Sequence, residues 1–397
     1  YIYIEMPPPQ RTILKRLKKK FALPLVFILL VVFIVMNIFQ MKLDKSRRIS
    51  LHCYIRNVAI VFTIYYLRKY KWNWPIFALP FIVEMIIEIA HTYNFFQLDP
   101  EENKTINCYN WFEKISRAHP ELDYYTEGHN QKHDLSLSMK EAQDNKFNWM
   151  CNEGNINNGT RVLEIGSGRC DFLYYAKNNR GANVTGCTIS PDQINTCKKK
   201  GIPVFVIDIT NDPIPEEYKG KFDVLVFNGS AEHFRQSNNT KSLDNFWKDF
   251  FKKVEVLFDP NSINKRIVIT MIHNRRKKSF NEKIDFWFLD KGFGGSYPEG
   301  KYGLVQNAKN YKVLKMKDAT EEYLLYSKKL YQIARRPEVY SKIVYNNLID
   351  LPVSLANNPY YFHNYWSTIH SWTRQFKPVN GKEPPMLHQW IILQLKN

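Results

Sequence analysis

Val162-Leu163-Glu164-Ile165-Gly166-Ser167-Gly168 is an apolar run that enters a glycine turn. Residues 161–165 read as a short buried strand and residues 171–177 as the start of a helix. Glycine between the two lets the backbone bend sharply and approach a ligand that a Cβ would hold off. The free N–H groups that open the helix suit a carboxylate or phosphate. A Gly-x-Gly alone specifies little, because many α/β chains turn this way with nothing bound.

The chain beyond it narrows the reading. Residues 183–188 form a second strand pattern and residues 190–200 a helix. A third strand over 203–208 ends in Asp208, and a fourth covers 221–227. After a helix over 243–257 come strands at 266–271, 312–316 and 388–395. Strands alternating with helices imply parallel crossovers, with ligands outside the carboxyl ends of the strands. The glycine turn, Thr188, Asp208 and Asn228 all fall at those ends.

Further pieces match a family pattern: Ser138-Met-Lys-Glu-Ala-Gln143-Asp-Asn-Lys146, Arg161 to Gly168, and Val184-Thr-Gly-Cys-Thr-Ile-Ser190-Pro-Asp-Gln193. Ala231-Glu232-His233-Phe234, Phe288-Leu-Asp-Lys-Gly-Phe-Gly-Gly295 and Leu387-His-Gln-Trp-Ile-Ile-Leu-Gln-Leu395 follow. With these, the chain from about Tyr124 onward resembles the S-adenosylmethionine-dependent methyltransferases, specifically the cyclopropane-fatty-acid synthase group. The resemblance implies an α/β, seven-stranded, Rossmann-like class I methyltransferase domain with S-adenosyl-L-methionine as cofactor and no metal. It places Glu164 behind the glycine loop, holding the cofactor's methionine end, with Gly166, Ser167 and Gly168 giving close backbone approach. Thr188, Ser190 and Gln193 correspond to positions near the ribose, Asp208 to the acceptor of the adenine amino group, and Asn228 completes the set. Glu232, His273 and Tyr323 match residues that hold a bicarbonate at the reacting end of cyclopropane synthases. Plainer roles stand beside these. Glu164 can stiffen its turn, Asp208 can form one, His273 can be a satisfied core histidine, and Tyr323 can pack on its helix.

Two departures from the family carry expectations. Cys170 stands where a further glycine is usual, and Arg169-Cys170-Asp171 is expected to narrow the space beside the methionine moiety. Tyr125-Thr126-Glu127-Gly128 replaces the Ser-Cys-x-Tyr of the synthases. A carboxylate there repels bicarbonate and, near Glu232, raises one carboxyl pKa. Methylation is therefore expected ahead of ring closure.

A net charge of +18 over 397 residues asks for an anionic partner surface. The basic residues flank a hydrophobic stretch rather than a reading helix, which argues for a lipid membrane and against nucleic acid. Residues 21–39 carry no charge over 19 positions, long enough to cross a bilayer and too long for a signal-peptide core. Residues 49–67, with His52 and Arg56, and 74–96, with Glu84, Glu88 and His91, read as membrane or interfacial helices. The expected organisation is a basic segment 1–20, a membrane region 21–96, a linker 97–119 and a methyltransferase-like domain 120–397. The six cysteines sit singly and read as reduced thiols. Arg275-Arg-Lys-Lys278 reads as a solvated loop or a contact for lipid phosphates. Two functions follow. One is an intracellular-membrane-anchored methyltransferase acting on a lipid acyl chain or head group, in the mitochondrial inner membrane or endoplasmic reticulum. The other is a catalytically retired accessory subunit of a larger membrane assembly.

Overall fold

The computed structural model describes residues 118–124, 126–130, 136–235, 241–279, 295–339, 373–379 and 381–396, with Ser116, Asn239, Glu282, Lys283, Phe286, Ser341 and Lys342. The expected spans at 21–39, 49–67 and 74–96 lie outside them. Among the described residues no helix is long and apolar enough to cross a membrane.

Seven strands form one sheet: β1 (Arg161–Ile165), β2 (Asn183–Thr188), β3 (Val204–Val206), β4 (Val224–Asn228), β5 (Arg266–Asn274), β6 (Tyr311–Asp318) and β7 (Met386–Leu395). Their order is β3-β2-β1-β4-β5-β7-β6, with β7 antiparallel to both its neighbours and the rest parallel. The third strand is shorter than its apolar run, because Asp208 turns the chain back through bonds to Thr210 and Asn211.

Central strands read as continuous apolar runs because both faces are covered. Val162, Val224, Val226 and Val268 point to one face and Leu163, Leu225, Ile267 and Ile269 to the other, all fully buried. The first face receives α1 (Met139–Gly154) and α2 (Asp171–Arg180), and α3 (Pro191–Lys199) follows β2. Across the sheet lies α4 (Leu243–Val254), whose Phe246, Trp247, Phe250 and Phe251 form the inward stripe. Helix α5 (Thr320–Ala334) follows β6. Edge strand β6 is largely exposed and carries Lys312, Lys315 and Lys317, charges that discourage edge-to-edge pairing.

Two expectations are corrected. Cys170 and Cys197 form a disulfide, so these cysteines are not free thiols; Cys151 and Cys187 are free and buried. Pairing of β1 with β2 brings the start of α2 against α3, and so closes a separation of 27 residues. The basic run at 275–278 is not simply solvated. Arg275 binds Asp318 and Glu383, and Arg276 binds Glu282.

Candidate active site

The turn after β1 makes the floor of a cleft at the carboxyl ends of β1 to β4. Gly166 has φ +74°, and a Cβ there would meet the Ser230 Cβ at 2.6 Å. Only glycine lets the loop pass this close to the chain leaving β4. All nine residues assigned to the cofactor from sequence line the cleft: Glu164, Gly166, Ser167, Gly168, Thr188, Ser190, Gln193, Asp208 and Asn228.

Their hydrogen bonds separate structural work from open binding capacity. The Thr188 hydroxyl donates to Gln193 Oε1 at 2.7 Å and accepts from the Ser190 amide at 3.1 Å, which fixes the opening of α3. Asp208 accepts from the amide of Thr210 at 2.9 Å and from Asn211 Nδ2 at 2.8 Å. It is thus a turn former as well as a cleft residue. Burial works against its charge, but these bonds prevail and lower its pKa. Ser190 Oγ and Glu164 Oε2 are buried with no hydrogen-bond partner among the described residues. A buried polar atom in that condition costs free energy unless a ligand meets it. Glu164 is 2% exposed, and burial pushes its carboxyl pKa well up, assisted by Asp171 and opposed by Asn228, Lys146 and Lys200.

Cys170 is not among the lining residues. It takes the left-handed φ of +61° that a glycine would supply, and its sulfur goes to Cys197. The expected narrowing by Cys170 is therefore absent, whereas Arg169 and Asp171 do reach the lining. Both are engaged, Arg169 with Asp123 and Asp171 with Lys200.

Glu232, His273 and Tyr323 are buried and lie outside the cleft lining, whose wall includes Ser230 and His233 beside Glu232. Burial raises the Glu232 pKa to about 8, with Glu127 adding to the rise and Lys146 opposing it. Its Oε2 has no hydrogen-bond partner among the described residues. His273 is kept neutral by burial, its pKa pushed down to about 4. The Gly300 carbonyl lies 3.1 Å from Nδ1, so Nδ1 carries the proton and Nε2 is left as an acceptor with no partner among the described residues. The Tyr323 ring lies 4.9 Å from the ring of His388, tilted by 52°, and His388 pairs in the sheet with Ile272, next to His273.

A buried polar cluster joins these residues. Glu127 Oε1 lies 2.7 Å from Lys146 Nζ and 2.7 Å from His388 Nε2, and accepts from Trp390 Nε1 at 2.8 Å. Burial alone would raise the Glu127 pKa, but His388 and Lys146 pull it down to about 2. Gly128 packs so tightly on α1 that a Cβ would sit 2.4 Å from that of Ala142, and Gln143 Nε2 donates to the Glu127 carbonyl at 3.2 Å. These contacts fix the carboxylate against the helix. The sequence motifs contain Lys146 and His388 but assign neither a role. Gln143 and Lys146 fall in the buried stripe Met139, Ala142, Gln143, Lys146, Phe147, Met150 of α1. Polar residues at helical spacing inside an apolar stripe were the available signal.

A family model described as mycolic acid cyclopropane synthetase matches residues 119–332, more than half of the chain. Among curated proteins, the sphingolipid C9-methyltransferase of Candida albicans is 28% identical over 183 residues, covering 42% of this chain and 34% of that protein. A sphingolipid C9-methyltransferase B of Emericella nidulans is 28% identical over 146 residues, covering 34% and 26%. The chain thus spans about a third or less of the length of these relatives. A cyclopropane synthase from Mycobacterium tuberculosis superposes with a TM-score of 0.52 at 15% identity, covering 75% of this chain and 99% of that one. A mycolic acid cyclopropane synthase complexed with SAH and CTAB gives 0.54 at 16%, with the same coverage. These two show the fold. The family match and the sheet order agree, and the chain belongs to the mycolic acid cyclopropane synthetase family, within the S-adenosylmethionine-dependent methyltransferases of the cyclopropane-fatty-acid synthase-like group.

Proposed function

We propose that this domain binds S-adenosylmethionine in the β1–β4 cleft and methylates an unsaturated carbon of a lipid chain. The observation that carries the reading is a pair of buried atoms with no hydrogen-bond partner among the described residues, Glu164 Oε2 and Ser190 Oγ, in a cleft entered through a glycine turn. Sphingolipid methyltransferases among the relatives support a lipid acceptor. The membrane-anchoring reading rests on residues 21–39 of the sequence.

S-adenosylmethionine, when bound, supplies a methyl group on a positively charged sulfur. Glu164 and the glycine loop hold its amino-acid end, Ser190 and Gln193 its ribose, and Asp208 its adenine amino group. Glu232 and His273 serve the acceptor. His273 Nε2 is a neutral base with a free lone pair, suited to take the proton that the methylated carbon chain gives up. Tyr323 and His388 wall that side in aromatic surface, keeping water away from a cationic chain. Glu127 already fills the place beside Lys146 with a fixed carboxylate, which leaves poor electrostatics for a free bicarbonate. A methyl branch is favoured over a ring.

The retired-subunit reading leaned on the glycine lost at Cys170 and on the cysteine replaced at Glu127; Cys170 lies outside the lining, which removes the first of these grounds. Incubating membranes with the full chain and methyl-labelled cofactor, then analysing extracted lipids by mass spectrometry, tests the reading. A methyl-branched chain is expected. A cyclopropane product would overturn the assignment of Glu127, and absence of labelled lipid would overturn the lipid acceptor.

A further inference from the structure

Cys197 and Lys200, at the end of α3, hold four consecutive residues of the loop that enters the cleft. The Cys197 sulfur is bonded to that of Cys170 and lies 3.4 Å from the Gly168 carbonyl oxygen. Lys200 donates from Nζ to the Arg169 carbonyl at 2.9 Å and pairs with the Asp171 carboxylate. Gly168, Arg169 and Asp171 line the cleft, and so do Ser190 and Gln193 where the same helix begins. The disulfide therefore joins the glycine loop covalently to the helix that presents two further cleft residues.

Cys170 depends on that join. Its φ of +61° lies in the left-handed region, which glycine enters freely and a residue with a Cβ does not. Its amide donates to the Ser167 carbonyl at 2.8 Å, and its sulfur is tied to Cys197. Once the bond is open, nothing covalent keeps residues 168–171 on α3, and Cys170 is free to move toward conformations that a side chain prefers. Burial limits access to the bond. Both cysteines are fully buried, so a reductant meets the sulfurs only when the loop and α3 part. A ligand that touches both Gly168 and Ser190 opposes that parting.

We propose that Cys170–Cys197 is a site of reversible thiol–disulfide exchange that sets how tightly the cleft holds its cofactor, and that bound cofactor in turn shields the bond. This rests on the cofactor reading above. The co-reactant is a dithiol. One of its thiolates attacks a sulfur of the protein bond and displaces the other as a thiolate. Its second thiol then closes on the mixed disulfide and frees the remaining cysteine. The protein bond gains two electrons and two protons, and the dithiol loses the same to become a disulfide. The coupling is reciprocal: the factor by which the bond tightens cofactor binding is the factor by which bound cofactor disfavours reduction.

Two measurements on the purified full chain in detergent test this, with S-adenosylhomocysteine as ligand and dithiothreitol as dithiol. Calorimetric titration should show affinity falling on the order of tenfold after reduction. Alkylation followed by mass spectrometry should show Cys170 and Cys197 opening to label about tenfold more slowly when ligand stands at about ten times its Kd. Cys197→Ala, which keeps the side chain at 170 without the bond, should bind as weakly as the reduced chain. Glycine takes the left-handed turn unaided, so Cys170→Gly should bind more tightly than Cys197→Ala, and dithiothreitol should change neither. Equal affinity of the unmodified chain before and after reduction would overturn the inference and leave the cofactor reading standing. Loss of the fold on reduction, read by circular dichroism, would make the bond a structural staple and overturn the inference too. Absence of binding in every state would overturn the cofactor reading itself.

Discussion

Glu127 shows how one side chain changes the chemistry available to a family fold. Its Oε1 gathers an ammonium, an imidazole and an indole N–H, so it is ionised in a place where a lone carboxylate could not be. Glu127→Gln leaves the fully buried Lys146 ammonium without a counter-charge and should destabilise the fold by about 3–5 kcal/mol. Adding Lys146→Met should restore a good part of that loss, since removing both charges is far cheaper than removing one. Urea denaturation of the two variants checks both figures. Glu232 gives the opposite pH response. Its folded pKa of about 8 lies above its ordinary 4.5, so folding favours the protonated form. The resulting penalty is absent below about 4.5, grows as pH rises and is complete above about 8. Glu232→Gln should therefore gain stability relative to the unmodified chain at alkaline pH, by roughly 1–3 kcal/mol, and little near pH 4.5. Denaturation curves at the two pH values read the difference directly. The acids at strand ends were legible in the sequence, because strand and turn patterns fix their position. The partners of Glu127 were not, since Lys146, His388 and Trp390 come from remote parts of the chain and meet only in the folded core.

Helix α2 begins at a cysteine, and that choice ties two elements together. Cys170 takes a left-handed backbone in place of glycine and bonds to Cys197 of α3, closing a loop of 27 residues. Constraining a loop of this length stabilises by about 3.5 kcal/mol in the chain-entropy estimate. Cys170→Ser should lose roughly 2–4 kcal/mol of that order and leave Cys197 open to alkylation in the denatured protein without reductant. Mass spectrometry of the alkylated chain reports the second effect; failure to change the labelling would remove the bond from the account. Spacing could not reveal this pair. Parallel pairing of β1 and β2 sets the two helices side by side, and no local pattern encodes that contact. By contrast the strands themselves were readable. Val162 to Ile165 and Val224 to Phe227 are continuous apolar runs, the mark of strands covered on both faces.

The whole chain joins a catalytic-type sheet to an N-terminal stretch whose sequence speaks for lipid. With residues 21–39 uncharged and a basic segment ahead of them, the full chain should stay with the membrane pellet after a sodium carbonate wash. Immunoblotting of pellet and supernatant measures this, and recovery in the supernatant would sink the anchoring proposal. A tether of this kind suits a lipid acceptor, because both partners are then confined to two dimensions and meet more often. The fold class was legible at this scale, since seven strand patterns separated by helices admit few arrangements. The strand order was less so. Nothing in the alternation of residues 388–395 says that this run enters between two earlier strands.

That insertion has a consequence for how the protein is made. Strand β7 lies between β5 and β6, although both precede it in the chain. During synthesis the flank of β5, with Ile267, Val268 and Ile269, and the inner flank of β6 must wait unpaired until Leu395 has left the ribosome. From the appearance of β5 until β7 follows it, the growing polypeptide therefore carries an open, apolar sheet margin, a form that invites wrong pairing and chaperone capture. A ribosome stalled before residue 386 would hold an unfinished sheet however long it paused.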